Sequence, residues 1–154
     1  WSVVKAELET INPKNSINAH WFTMYLVKDG IWKIYKVVEE DPVFVPGKIN
    51  ESDIENAKNV FIEFCNAVFE KRYDEAGIYL VGRAKNNHEQ AGNILKDAVI
   101  TDSKFKIHSV EPLSGNKKNL ILNINYNLGG RDIKTIVSYY KTSRGWKIYN
   151  VSQI

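Results

Sequence analysis

The chain of 154 residues has a single cysteine, which excludes an intrachain disulfide and every metal motif that needs several cysteines. No apolar run approaches the roughly 18 residues that a membrane-spanning helix needs. Arginine is scarce beside lysine, so the dense basic stripe with exposed aromatics that is typical of nucleic-acid binding is missing. The histidines His20, His88 and His108 show neither an H-x-x-x-H spacing nor a carboxylate at a spacing that would make a zinc site. We therefore predict no metal, no cofactor and no nucleic-acid partner.

The charge that is present is unevenly distributed. The net charge is +3, and residues 101–154 carry nine Lys/Arg against three Asp/Glu. A cluster of this modest size is typical of a lysine-rich, solvated sheet face. If it binds a partner, its candidate basic surface consists of Lys104, Lys106, His108 and Lys134.

A four-residue motif occurs twice along the chain. Trp32, Lys33, Ile34 and Tyr35 recur as Trp146, Lys147, Ile148 and Tyr149, at a constant offset of 114 positions. Such a repeat indicates two structural units of one kind. We therefore predict that both tryptophans lie at equivalent positions in two sheets and that both are mostly buried.

The first unit is predicted to contain three strands and no helix. Val4, Ala6 and Leu8 alternate with charged residues, which is the period of a half-buried strand. Two further β-rich runs follow, separated by turns at 12–15 and at Gly30. The predicted strands are 1–11, 16–28 and 31–38. Prolines at positions 42 and 46 then exclude regular structure and indicate a linker over 43–50.

The second unit, residues 51–154, is predicted to hold three helices and then four strands. Ser52 and Glu55 have the spacing of a capping box, which predicts a helix over 52–70. Further helices are predicted over 73–83 and, capped by Asn87, over 87–99. The long helix has an apolar stripe made of Ile54, Ala57, Phe61, Phe64, Cys65 and Val68.

The four strands of this unit follow from a return to period-2 alternation. The clearest strand places an apolar face on one side and asparagines on the other. That apolar face consists of Leu120, Leu122, Ile124 and Tyr126. Residues 1–42 match the last three of these strands, so we predict the C-terminal half of one unit followed by a complete second one.

A long helix, two shorter ones and a meandering antiparallel sheet resemble the nuclear transport factor 2-like superfamily. "VKDGIWKI" followed by "VPG" is similar to the domain of this class that precedes the transpeptidase in some low-affinity penicillin-binding proteins of Gram-positive bacteria. "FCNAVFEKRYDEAGIYL" resembles the helical opening of the family. The resemblance implies a cone-shaped α+β fold and an extracytoplasmic location. It does not imply chemistry, because this fold hosts enzymes and inert spacers alike.

Enzymes of this superfamily use side chains that point into the cavity between sheet and helices. The candidate cavity-lining residues here are Tyr79, Asp97, Tyr126 and Tyr139. The strand face that carries Tyr126 is otherwise aliphatic and is typical of packed core, so we predict no catalytic residue. Cys65 lies on the apolar stripe and is expected to be inert.

These features predict a non-catalytic interaction or spacer module of the bacterial cell envelope, as part of a conjugative or type IV secretion system or of cell-wall assembly. The alternative is a small-ligand binder or enzyme that uses the cone cavity. We expect polypeptide upstream of Trp1, with a membrane or lipid anchor outside this chain. The apolar face of residues 1–42 is expected to be covered by such polypeptide or by a partner copy, so a protein partner or self-association is predicted.

Overall fold

The computed structural model describes residues 1–14, 16–97 and 105–153, with side chains for all of these except 90–97 and 153. The described residues form an α+β fold with two antiparallel sheets and three α-helices. The chain divides into two compact units, Trp1–Val43 and Phe44–Ile154. In chain order the elements are β1 (Ser2–Ile11), β2 (Ile17–Asp29), β3 (Ile31–Glu40), α1 (Glu51–Phe69), α2 (Tyr73–Ala76), a 3-10 turn (Gly77–Tyr79), α3 (Gly82–Asp97), β4 (Phe105–Gly115), β5 (Asn119–Leu128), β6 (Arg131–Thr142) and β7 (Gly145–Gln153).

The first unit is a three-stranded meander in the order β1-β2-β3. β2 and β3 are joined through Gly30, whose φ of 70° lies in the left-handed region that suits glycine. Its described residues contain strands and no helix, as the alternating pattern predicts. The predicted strand ends agree with the observed ones to within two residues.

The second unit packs its helices on a four-stranded sheet in the order β4-β5-β6-β7. The predicted apolar strand face is confirmed as core, because Leu120, Leu122 and Ile124 are fully buried. The facing helix is α1, whose Ala57 and Phe61 join the same hydrophobic cluster. The remaining buried members of that cluster are Cys65, Leu80, Tyr126, Val137, Tyr139, Trp146 and Ile148.

The predicted capping box at the start of α1 is wrong. The helix begins at Glu51, so Ser52 already lies inside it and Asn50 is the N-cap residue. The carbonyl oxygen of Asn50 accepts hydrogen bonds from the backbone N–H groups of Asp53 and Ile54, at 3.1 and 3.2 Å. The first turn is therefore closed by the backbone, and no side chain caps it.

The predicted end of the second helix and the predicted start of the third are also wrong, and the predicted end of the third at position 99 lies outside the described residues. The second helix stops at Ala76, a 3-10 turn follows, and the third begins at Gly82 rather than at Asn87. The reason is a contact that is distant in sequence: the backbone N–H of Val81 donates to the carbonyl of Ile148 on β7, at 2.9 Å. This bond holds the chain extended at Leu80, and α3 starts directly afterwards.

Candidate functional site

The interior of the second unit contains Tyr139, one of the predicted cavity-lining residues. Its side chain is fully buried on β6, opposite Leu120 on one side and Ile148 on the other. Its hydroxyl has no hydrogen-bond partner among the described residues. Burial raises the pKa of this hydroxyl well above its usual value, and the neighbouring Cys65 adds to the shift. Tyr139 is therefore a neutral core residue whose hydroxyl no described residue satisfies.

Tyr126 belongs to an aromatic cluster at the other end of the same core. Its ring centre lies 5.6 Å from that of Phe61 and 5.2 Å from that of Phe105. Its hydroxyl accepts a long hydrogen bond from Thr135 Oγ1, at 3.4 Å. Tyr126 lies opposite Ile133 on β6. Six residues along a strand span about 20 Å, so the backbones of Tyr126 and Tyr139 lie at opposite ends of the core.

The other two candidate cavity residues do not join them in a described cluster. Tyr79 ends the 3-10 turn and is half-buried. Its partial burial raises the pKa of its hydroxyl, and Glu63 contributes in the same direction. Asp97 ends α3, and its side chain lies outside the described ones.

The thiol of Cys65 is buried, as its place on the apolar stripe predicts. Burial raises the pKa of this thiol from 9.0 to about 12. The reactive form of cysteine is the thiolate, and at neutral pH this group keeps its proton. Cys65 therefore lacks the character of a nucleophile.

Lys85 is a buried charged residue that the sequence reasoning missed. It lies on α3, which packs on β7, and only 3% of it is exposed. Burial lowers the pKa of its ammonium group, and the carboxylate of Glu89 partly opposes that shift. Position 85 falls between the predicted helices 73–83 and 87–99, so the helical pattern gave no signal for this burial.

The candidate basic surface is interrupted by one acidic residue, Asp132. Lys106 and Lys134 are both exposed on the second sheet, as is His108. The ring nitrogen Nε2 of His108 lies 3.5 Å from Asp132 Oδ1, so this residue has an acidic neighbour. Lys104 lies outside the described residues. This arrangement is that of a solvated polar face, and it forms no continuous positive patch among the described side chains.

A polar contact fixes the start of α1 on the second sheet. The indole Nε1–H of Trp146 donates to Asp53 Oδ1 at 3.0 Å, and Lys141 Nζ lies 3.5 Å from the same oxygen. The ammonium group of Lys141 also lies over the Trp146 ring, 5.4 Å from its centre. An acid in the first helical turn, a tryptophan and a lysine thus meet at one point.

The two copies of the repeated motif occupy equivalent positions in their sheets. Trp32 lies opposite Lys28, as Trp146 lies opposite Lys141. Lys28 Nζ lies 5.9 Å from the centre of the Trp32 ring, so the lysine–tryptophan contact is repeated as well.

The β-bulge also recurs at the tyrosine of each motif. In the first sheet Ile34 and Lys36 pair with consecutive residues of β2, which leaves Tyr35 unpaired. In the second sheet Ile148 and Asn150 pair with consecutive residues of β6, which leaves Tyr149 unpaired. The repeat therefore specifies a β-strand, the face to which its side chains point and the position of a β-bulge.

The expected burial of Trp32 is nevertheless wrong. Trp146 is 4% exposed, whereas Trp32 is 53% exposed. The physical reason is that α1 packs on the sheet of the second unit, while the described residues of the first unit include no helix. Identical local sequence gives the same strand position and a different environment.

Trp32 belongs to an apolar surface that we call the open face of the first sheet. Residues that pair across antiparallel strands share a face, and the pairing Val4–Met24–Val37 defines this one. No described residue of the open face is buried. Its apolar members are Val4, Ala6, Leu8, Phe22, Met24, Leu26, Trp32, Ile34 and Val37.

The sequence predicted only part of this surface. Val4, Ala6 and Leu8 lie on it, as the alternation predicts, and Phe22 pairs with Ala6 on the same face. Trp21 and Tyr25 point to the opposite face. The contribution of β3 was missed, although Trp32, Ile34 and Val37 supply its most exposed apolar groups together with Leu8. The alternation around the motif could have revealed these three side chains. The bulge at Tyr35 inserts one extra residue, however, so Ile34 and Val37 share a face although they are three positions apart.

Comparison with known proteins gives no family for this chain. No family model matches it, and no curated protein matches it either. Within the described residues no group of three or more His, Cys, Asp or Glu side chains is placed to hold a metal ion. A helix long and apolar enough to cross a membrane is likewise not found in the described part of the chain.

Proposed function

We propose that this chain is a non-catalytic interaction module and that the open face is its contact surface. The observation that carries the proposal is that every described apolar side chain of this face is at least partly exposed. The opposite face also exposes apolar groups such as Ile31, but it buries Ile17 and Ala19. Leu8, Trp32, Ile34 and Val37 are 53%, 53%, 61% and 52% exposed. Full burial of such a side chain is worth about 1.5–3 kcal/mol, so covering the half that is still exposed is worth roughly 0.8–1.5 kcal/mol for each. A contiguous patch of this kind marks an association site in a protein that otherwise buries its core.

The chemistry of the second unit supports a role without catalysis. The tyrosines at positions 126 and 139 lie in packed core, and the thiol of Cys65 stays protonated at neutral pH. A catalytic site needs a base with a paired acid or oxyanion donor within reach of one substrate. The distance between the two tyrosines opposes that arrangement.

We further propose a nuclear transport factor 2-like fold and a location in the bacterial cell envelope. The α+β architecture, with a long helix preceding a four-stranded antiparallel sheet, supports the fold. The resemblance of "VKDGIWKI" and "VPG" to extracytoplasmic domains supports the location. Conjugative or type IV secretion and cell-wall assembly are the systems in which such a module would act.

A second candidate function is the binding of a small ligand inside the second unit. One observation favours it: the fully buried hydroxyl of Tyr139 has no partner among the described residues. A thermal-shift screen of small polar molecules tests this candidate. Ligands that raise the melting temperature of the native chain, but not that of Tyr139→Phe, would establish it over the interaction module.

The test of the interaction module uses a photo-cross-linking amino acid at two positions of β3 in the host cell. Ile34 lies on the open face, and Ile31 is 70% exposed on the other face of the same strand. We expect discrete cross-linked products in the envelope fraction from position 34 and none of the same size from position 31. Identical products from both positions, or none from either, would contradict the proposal.

A further inference from the structure

We infer that the open face binds an amphipathic α-helix that carries an acidic residue in its first turn. This inference rests on the proposed function and names the chemistry of the partner. The second unit of the same chain provides the evidence, because it shows an equivalent face with its occupant in place.

The equivalence of the two faces follows from strand pairing. The pair Leu26–Ile34 stands next to the bulge in the first sheet, as Tyr139–Ile148 does in the second. Two positions further along, Val4, Met24 and Val37 pair in a row, and Leu122, Val137 and Val151 pair in the same way. The open face thus corresponds position by position to the face that α1 covers.

The polar contact at the start of α1 specifies the first helical turn of the occupant. On the second sheet Asp53 Oδ1 accepts the indole N–H of Trp146 beside Lys141. The open face repeats the other two partners, since Lys28 lies over the ring of the exposed Trp32. A carboxylate in the first turn of a docked helix would complete the same arrangement and would offset the charge of Lys28.

Charge also favours such a helix over a second copy of this chain. At the far end of the open face His20 Nδ1 and Glu39 Oε1 lie 2.8 Å apart. Glu39 therefore already has a partner, and pairing it with Lys28 of a second copy would compete with the His20 contact. Helix α1 is also not available as the occupant, because its apolar stripe is buried against its own sheet.

The experiment uses the complete chain and a synthetic peptide with the sequence of residues 50–69. This peptide has the required chemistry, with Glu51 and Asp53 in its first turn. Binding is measured by isothermal titration calorimetry, by the gain in peptide helicity, and by amide chemical shifts of β1 to β3. We expect saturable binding, with the shifts confined to the open face.

Two chain variants locate the site. Ile34→Lys should weaken binding by at least about tenfold, because it places a charge in the apolar contact. Ile31→Lys, on the opposite face, should change the affinity by less than about twofold. Both are surface substitutions on one strand, so the second serves as a control for folding.

A double-mutant cycle tests the polar contact. The Asp53→Ala peptide should bind the native chain about tenfold more weakly, the effect expected for a hydrogen bond to a charged group. The Trp32→Phe chain keeps an aromatic ring at this position but loses the N–H donor. Against this chain, the same peptide change should reduce the affinity by a clearly smaller factor. An equal loss of affinity with both chains would contradict the inference that the bound helix has an acidic residue in its first turn.

The remaining outcomes separate this inference from the function on which it rests. Absence of saturable binding, or binding that Ile34→Lys leaves unchanged, overturns the helix inference. A third outcome is self-association of the chain that Ile34→Lys abolishes and that the peptide does not inhibit. This outcome would identify a second copy as the occupant of the open face. It would overturn the helix inference and leave the proposed interaction module intact. If positions 34 and 31 also give no distinct cross-links in the cell, the proposed function fails as well.

Discussion

Asp53, in the first turn of α1, accepts a 3.0 Å hydrogen bond from the indole nitrogen of Trp146 at the start of β7. The two residues are far apart in sequence, and their contact joins the helix layer to the sheet layer. The ring of Trp146 is buried, so its N–H group has lost access to water and depends on this acceptor. Through this contact the Trp146 motif holds α1 on its sheet, whereas the described residues of the first unit include no helix that Trp32 could contact in this way.

The two tryptophans should differ in their contribution to stability. Trp146→Ala removes a buried ring and should lower the free energy of unfolding by about 3–5 kcal/mol. Trp32→Ala removes a half-exposed ring and should lower it by less than about 1 kcal/mol. Urea melts of both variants measure the difference. Equal losses would show that the two environments are alike.

Removal of the carboxylate of Asp53 should destabilise the fold. Asp53→Ala leaves the buried indole N–H of Trp146 without its acceptor, at a cost of about 1–3 kcal/mol. Glu51→Ala changes an exposed acid of the same turn, so it serves as the matched control. We expect it to cost about 0.3–1 kcal/mol through the helix dipole alone. If both variants melt alike, the contact with Trp146 contributes nothing.

Cys65 should make stability depend on pH in the alkaline range. The pKa of its thiol is 9.0 in an ordinary environment and about 12 in the folded state. The folded pKa is the higher one, so this contribution is complete below pH 9 and is lost as the pH rises towards 12. The difference in unfolding free energy between the native chain and Cys65→Ala should therefore shrink over that window.

The same burial predicts slow modification of the thiol. In the native chain a thiol reagent at neutral pH should label Cys65 far more slowly than it labels free cysteine. In denaturant the rate should become ordinary. Fast labelling of the native chain would place Cys65 outside the core.

Loss of the Tyr139 hydroxyl should not harm the fold. This group is buried without a partner among the described residues, and an unsatisfied buried polar atom is unfavourable. Tyr139→Phe should therefore leave the free energy of unfolding unchanged or raise it by up to about 1 kcal/mol. A loss above about 2 kcal/mol would reveal a hydrogen bond of this hydroxyl to a group outside the described residues.

Local sequence was sufficient to predict the strands and the long helix. Period-2 alternation identifies β1 to β7 because successive side chains of a strand point to opposite faces of the sheet. The apolar stripe of α1 likewise identified its buried side, including Cys65. The start of α3 could not be predicted in this way, since it depends on the bond between Val81 and Ile148.

The repeated motif divides what the sequence determined from what the tertiary structure decided. Trp-Lys-Ile-Tyr by itself determined a strand, the bulge at its tyrosine and the face on which its tryptophan lies, because these follow from backbone geometry and nearest strand pairing. The burial of the tryptophan was decided by residues outside the motif. Trp146 is enclosed and Trp32 is open because α1 packs on the second sheet, and the four residues of the motif carry no information about that helix.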